Sequence, residues 1–393
     1  MFKILIIAGE ASGDELGSSL IHGIKKTMDQ IVDFQGIGGP LMIENGLKCL
    51  YEMKEISVMG FIEIIPKVPK ILKIIRSLEE YVQAWKPDLI VTIDSPDFCL
   101  RVAKRVKNKN PSISIVHYVA PSVWAWREGR TKKMSKYVDH VLALLPFEPS
   151  YLRKVGLSCD FVGHPVVSRK IPNQKEISLF RNSFNLTENS LIITLLPGSR
   201  KSEIKKMKPI YTKFIRRVLI NFPNIKFILP STIGVHDQVV DWLKKEKLPV
   251  IHISEKNNQA SNFKEQKKII FSASVLAVAT SGTVSIELAH VGTPMIIGYK
   301  TSFITTLLIK KLVKIKSATL INILTNKNAI PEFLFENCKS DNLYNSMVEI
   351  LSSKEKINSQ LKVSREAIEM LGYGKFDPGT KAAESILNFI KLK

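Results

Sequence analysis

Cysteine is scarce in this chain. Its 393 residues include four, Cys49, Cys99, Cys159 and Cys338, with neither the paired spacing of a metal knuckle nor the density of a disulfide framework. That usage points to the reducing cytoplasm. No apolar run reaches the roughly 18 residues of a spanning helix, so no such helix is expected. The opening MFKILIIAGE is too short for a secretory apolar region and leads straight into a glycine-containing loop. It therefore reads as a buried first strand. Helix-turn-helix, RNP-type and zinc-finger motifs are absent, as are short repeats and low-complexity tracts. Acidic residues are also few, 36 against 57 Lys and Arg, for a net charge of +21. One reading is a lysine-rich composition that coats any surface; the other is attraction to an anionic partner. Without a nucleic-acid motif, nucleic acid is the weaker partner and an acidic lipid surface the stronger.

What is present alternates between strands and helices. Apolar β-type runs lie at 2–9, 88–94, 112–120 and 139–146, and the pattern restarts at 191–198, 225–230, 250–254, 275–282 and 294–299. Apolar strands separated by helical segments imply parallel sheets covered on both faces. The length favours two domains over one core. The polar segment 168–178, after Gly163-His164-Pro165, is the expected linker. The expected fold is α/β, two Rossmann-like domains facing across a cleft, with ligands at the carboxyl ends of the strands.

The most informative stretch is LIITLLPGSRKSEI, 191–204. A strand ends in Pro197-Gly198-Ser199-Arg200-Lys201 and a helix follows. Unpaired helix-end amides, a positive dipole end and two cations suit a phosphate or diphosphate. A second strand-to-helix junction at 277–290 brings Ser281, Gly282, Thr283 and the carboxylate of Glu287 to a comparable place. The two together read as opposite ends of a nucleoside diphosphate.

Other motifs carry more than one reading. Gly9-Glu10-Ala11-Ser12-Gly13-Asp14 permits a tight turn, with Ser12 or Asp14 capping the following helix, but lacks the GxGxxG fingerprint. Asp94-Ser95-Pro96-Asp97 ends a strand. It reads as a turn, or as a cleft carboxylate removing a proton from a hydroxyl, Asp97 reaching further out than Asp94. Metal binding is a third reading, but two carboxylates without a further His or Asp cluster make a poor site. His117-Tyr118 ends a strand, and Trp124 and Trp126 beyond it line a pocket for an apolar or sugar ligand or pack a core. His164 reads as a hinge-side hydrogen-bonding residue. The 58–76 segment mixes bulky apolar side chains with cations. It suits either a core helix or an interfacial one presenting Phe61, Ile64, Ile65, Val68, Ile71, Leu72 and Ile75 to lipid.

The motifs GEASGD, VMGFIEI, DSPDF, HYVAPSVWAWR, LPFE, FVGHP, LLPGSR, SGTVSIE and GTPM occur in this order over nearly the whole chain. In this the chain resembles the lipid-A-disaccharide synthase family, inverting glycosyltransferases of bacterial outer-membrane lipid synthesis. The resemblance implies a GT-B fold whose last helix returns to the first domain. Domain limits of 1–167 and 168–367 follow, with 368–393 packing back on the first. It implies transfer from UDP-2,3-diacylglucosamine to 2,3-diacylglucosamine 1-phosphate by a cytoplasmic enzyme held peripherally at the anionic inner membrane. No cofactor is expected, and no metal, because the sequence offers no convincing ligand set. A homodimer is left open. By motif position Asp97 is the base, Ser12 faces the cleft, Ser199 and Arg200 hold the diphosphate, and Glu287 binds ribose. Ser281, Gly282, Thr283 and Asn322 lie near the nucleotide. Cys99 stands where the family usually has Asn, and Asn326-Lys327-Asn328 where an Arg is common. A UDP-sugar epimerase and a non-catalytic basic protein are the alternatives.

Overall fold

The structure, a computed structural model, describes residues 1–56, 68–121, 128–257, 260–301 and 317–391. The chain divides into two compact units, Met1–Ser168 with Leu371–Lys393, and Arg169–Met370.

The first unit holds β1 (Phe2–Ala8), α1 (Ala11–Thr27), β2 (Val32–Gly38), α2 (Pro40–Glu44), β3 (Lys48–Glu52), α3 (Val68–Trp85), β4 (Leu89–Ile93), α4 (Pro96–Lys109), β5 (Ser114–Tyr118), α5 (Glu128–Met134), β6 (His140–Ala143), α6 (Glu148–Arg153) and β7 (Ser158–Phe161). The sheet is parallel in the order β3-β2-β1-β4-β5-β6-β7. Strand side chains alternate between faces. Ile4, Ile6 and Ala8 join α1 in one apolar layer, while Leu5 and Ile7 join α3 and α4 in the other. With both faces covered, β1 and β4 can be apolar along almost their whole length. The chain winds outward from β1 to β3, then returns to β4, so the strand order reverses between β1 and β4. Loops diverge there and leave a crevice at the carboxyl ends.

Helix α3 corrects one expectation. Ile75 is 2% exposed and Ile74 4%, both in the core, and Ile71 packs against it. Of the proposed lipid-facing residues on this helix, Val68 and Leu72 point outward, 39% and 49% exposed. Ile75, three residues on, is turned a net 60° or so around the helix from Leu72, far enough for the core to claim it. Phe61, Ile64 and Ile65 lie outside the described residues.

The C-terminal helix, Pro378–Lys391, packs against α1. A Cβ at Gly23 would stand 2.3 Å from the Gly379 carbonyl oxygen, so only glycine allows the backbones so close. His140 fastens the same helix, with Nε2 2.9 Å from Ser385 Oγ, which in turn donates to Asp160 Oδ2 at 2.8 Å.

The second unit repeats the plan. It holds α7 (Gln174–Ser183), β8 (Leu191–Leu196), α8 (Lys201–Asn221), β9 (Ile225–Ser231), α9 (His236–Lys245), β10 (Val250–Ser254), α10 (Ala260–Ala273), β11 (Leu276–Ala279), α11 (Val284–His290), β12 (Met295–Tyr299), α12 (Leu320–Thr325), β13 (Glu332–Leu334), α13 (Ser340–Leu351) and α14 (Lys354–Met370). The order β10-β9-β8-β11-β12-β13 puts the reversal between β8 and β11. Residues 174–178, expected as linker, open α7 instead. Asn173 Oδ1 accepts from Glu176 N at 3.0 Å and Glu176 Oε2 accepts from Asn173 N at 2.7 Å. This reciprocal cap starts a helix where polar composition alone reads as loop.

Candidate active site

In the first unit, Ala8 and Ile93 pair at the ends of β1 and β4, so the loops that follow leave the sheet side by side. Ser12 Oγ donates to Asp94 Oδ2 at 3.1 Å, and Ser95 Oγ to Glu10 Oε1 at 3.4 Å. Asp94 and Ser95 both hold left-handed backbones, with φ of 52° and 40°. Two such non-glycine residues in succession store local strain, which the stitched loops sustain. Gly9 is required here, because a Cβ would lie 2.5 Å from Ser95 Oγ. Asp97 sits in the first turn of α4, exposed, just beyond the strained pair. Asp94 is thus the bonded loop residue, and Asp97 projects from the helix start.

Asp14 has a different task from the one expected. It is 4% exposed and accepts from Gly39 N, Met42 N and Leu41 N at 2.9, 3.0 and 3.1 Å. It therefore caps α2, not its own helix, whose N-cap is Glu10 without a side-chain bond. Cys99 is fully buried with its sulfur 3.8 Å from the Ile93 carbonyl oxygen, and burial pushes its thiol up. It faces the core. His117 and Tyr118 are likewise core residues, His117 Nδ1 lying 2.8 Å from Thr92 Oγ1. His164 Nδ1 accepts from Val166 N at 3.2 Å. Trp124, Trp126 and Arg127 lie outside the described residues.

In the second unit, β8 and β11 also end flush, Leu196 opposite Ala279. Pro197–Arg200 and Ser281–Glu287 therefore emerge side by side at the reversal point. Arg200 is the N-cap of α8 with its side chain 78% exposed. The amides of Ser199 and Arg200, expected to meet a diphosphate, here donate to Glu203 Oε2 at 3.0 and 3.2 Å. Arg200 Nη1 meets Glu203 Oε1 at 3.1 Å. A carboxylate of the chain thus occupies the donors expected to meet a diphosphate.

Glu287 stands at the start of α11, its side chain 17% accessible, with Oε1 3.1 Å from Arg169 Nη1 and Oε2 2.7 Å from Lys267 Nζ. Burial pushes its carboxyl up most strongly, but Lys267 and Arg169 together outweigh that and hold it below the usual carboxylate value. Ser281 Oγ donates to the Ala318 carbonyl at 2.8 Å, and Thr283 is the exposed N-cap of α11. Gly282 is open, with nothing within 4 Å of a Cβ built on it.

Asn322 is held by its own side-chain bonds. It is 3% exposed, and its amide donates to Ile330 O and Glu332 Oε1, both at 2.9 Å, while Oδ1 accepts from Ile330 N at 3.0 Å. The side chain braces the loop to β13, and it borders an open pocket of about 350 Å³ with Ser317, Asn328 and Glu332. Lys327 pairs with Glu366 of α14, and Asn326 ends α12 with a left-handed φ of 52°. Among the described residues no group of three or more His, Cys, Asp or Glu is placed to hold a metal ion.

Glu203, Arg169 and Lys267 escaped sequence reasoning. Glu203 had a signal, since an acid three residues after an N-cap is a capping-box spacing. Arg169 and Lys267 had none, because they lie 118 and 20 residues from Glu287.

Two Rossmann-like parallel-sheet units, each with polar loops at its reversal point, define a GT-B protein, the architecture of many nucleotide-sugar enzymes. Solved structures share this fold. UDP-GlcNAc 2-epimerase from Neisseria meningitidis bound to UDP-GlcNAc superposes with a TM-score of 0.68 at 13% identity, with all of both chains covered. A glycosyltransferase from Rickettsia africae gives 0.59 at 12%, covering 100% of this chain and 98% of that one. Sequence goes further. The family described as Lipid-A-disaccharide synthetase matches residues 4–384. Lipid-A-disaccharide synthase of Ruegeria pomeroyi is 38% identical over 388 residues, 99% of this chain and 95% of that protein. The chain belongs to the lipid-A-disaccharide synthase family: it is a hexosyltransferase of lipid A biosynthesis. The epimerase and non-catalytic readings are not favoured.

Proposed function

We propose that the chain joins UDP-2,3-diacylglucosamine to 2,3-diacylglucosamine 1-phosphate, with inversion, releasing UDP and a β-1,6-linked tetraacyl disaccharide 1-phosphate. The observation that carries this is the placing of an exposed carboxylate, Asp97, at one sheet's reversal point and of Arg200 and Glu287 at the other's. The first unit takes the acceptor. Asp97 removes the proton of its 6-hydroxyl, and the oxygen attacks the anomeric carbon as the bond to diphosphate breaks. One base suffices, with no covalent intermediate. The second unit takes the UDP-sugar. Charge grows on the leaving diphosphate, so Arg200 and the α8 amides act most strongly in the transition state. The diphosphate takes these amides over from Glu203, since two anions do not share them. Glu287 accepts from the ribose hydroxyls.

Both substrates carry acyl chains, so the enzyme works at the cytoplasmic face of the inner membrane, with the exposed Val68 and Leu72 beside the cations of α3 meeting anionic lipid. Calorimetry on Arg200→Ala and Glu287→Ala tests the donor assignment. Arg200→Ala weakens UDP binding and leaves uridine binding near normal, whereas Glu287→Ala weakens both. Equal loss of uridine affinity in the two variants contradicts the split.

A further inference from the structure

Glu287 poses a physical problem. A carboxylate with little solvent around it is costly to ionise, and only the ionised form offers all its lone pairs to a ribose diol. Two cations reach it from elements far apart in sequence. Arg169 comes from the segment ahead of α7, and its Nη1 lies 3.1 Å from Oε1. Lys267 comes from α10, and its Nζ lies 2.7 Å from Oε2. Each carboxylate oxygen is thus held by one cation, which fixes the plane of the group. All three side chains are largely buried, Arg169 24% and Lys267 26% accessible. The anchor is itself anchored: His290, one turn along α11, places Nε2 2.8 Å from the Arg169 carbonyl oxygen. Burial lowers the pKa of that imidazole from its usual value, so near neutral pH it adds no charge to the cluster. The neighbouring Lys268 is turned to Glu265 at 2.7 Å.

We infer that Arg169 and Lys267 are positioning residues for nucleoside recognition: they hold Glu287 charged and oriented so that it reads the ribose 2′-hydroxyl. This rests on the ribose role given to Glu287 above. A cluster that served only to tie the segment before α7 to α10 and α11 would affect stability and nothing else. A positioning role adds a signature in pH. With one cation gone, burial wins over the remaining charge, Glu287 takes up a proton at higher pH, and the preference for a ribose diol disappears there.

The experiment measures dissociation constants of UDP and 2′-deoxyuridine diphosphate from pH 4.5 to 8 in the full chain. Both ligands carry the same diphosphate, so its own titration cancels in their ratio. The wild type prefers UDP by on the order of tenfold, as expected for one hydrogen bond to a charged group, and keeps that preference into the acid range. In Lys267→Met the preference fades about one pH unit or more earlier. Lys267→Arg restores the wild-type profile. Should Lys267→Met fail to fold, Lys267→Gln, which keeps a donor without the charge, supplies the same readout, and Arg169→Gln tests the second cation. An unchanged ratio and pH profile in the charge-removing variants overturns the inference while leaving the ribose role standing. A wild type that does not distinguish the two nucleotides overturns the ribose role itself, and the inference with it.

Discussion

Removing the Asp14 carboxylate should damage the fold and spare the nucleotide. Its two oxygens accept three backbone N–H groups at the start of α2, from Gly39, Leu41 and Met42, and the bonds to Gly39 and Met42 are buried. A single N-cap lost to Ala costs up to about 2 kcal/mol. A bond to a charged acceptor is worth about 1.5 kcal/mol at the low end, so three independent ones would sum to roughly 4.5. The three share one carboxylate and are not independent, which puts Asp14→Ala near 3 kcal/mol, about 6–12 °C in the melting temperature of a unit this size. Circular dichroism melts and urea titrations measure this, and calorimetry with UDP checks that affinity stays within about twofold, near the scatter of a surface change. Melting within a degree or two of wild type, together with lost activity, would refute the reasoning. Asp14 would then belong to the reaction and not to the cap.

Asp97→Asn keeps size but loses basicity, so kcat should fall by about 10²-fold or more while UDP affinity, read by calorimetry, persists. Leu72→Ser should loosen binding to vesicles of anionic lipid with little change in melting. Ile75→Ser, on the buried side of the same helix, should cost about 2–5 kcal/mol of stability. His252 titrates low, pushed to about 4 by burial and then by the neighbouring His236. As pH falls from about 6.5 toward 4 the unfolded chain takes that proton first, so stability drops across this window. His252→Gln should flatten the drop in acid urea titrations.

The strands that were legible are the long apolar ones, such as β1, β4 and β8, whose buried residues announce a covered sheet. Those that were not are short or glycine-rich. β2 reads VDFQGIG, which looks like a loop. Gly36 is in the strand because its φ of 146° brings Ile6 O within 1.9 Å of where a Cβ would be, a contact no other residue permits. β3, β7 and β13 lie toward or at sheet edges, where burial is partial and the apolar signal weak. The site shows the same division. Arg200 and Glu287 were visible because each lies at a strand-to-helix junction, and the motif order around them is distinctive. Their partners were not, since Arg169 and Lys267 meet Glu287 only through tertiary folding. A sequence window also cannot tell a carboxylate that caps its own helix from one that caps a neighbouring helix, which is why Asp14 was assigned to the wrong helix. Asn322, in α12, makes its three side-chain hydrogen bonds to Ile330 and Glu332, contacts that no sequence window shows.

The central claim concerns a bond formed between two acylated sugars. Mass spectrometry of the products, after supplying the purified chain with UDP-2,3-diacylglucosamine and 2,3-diacylglucosamine 1-phosphate, tests it most directly. The account predicts a tetraacyl disaccharide 1-phosphate and an equal amount of UDP, formed only when both substrates are present and with the new linkage β. Conversion of the UDP-sugar without the acceptor, or an α-linked product, would contradict it.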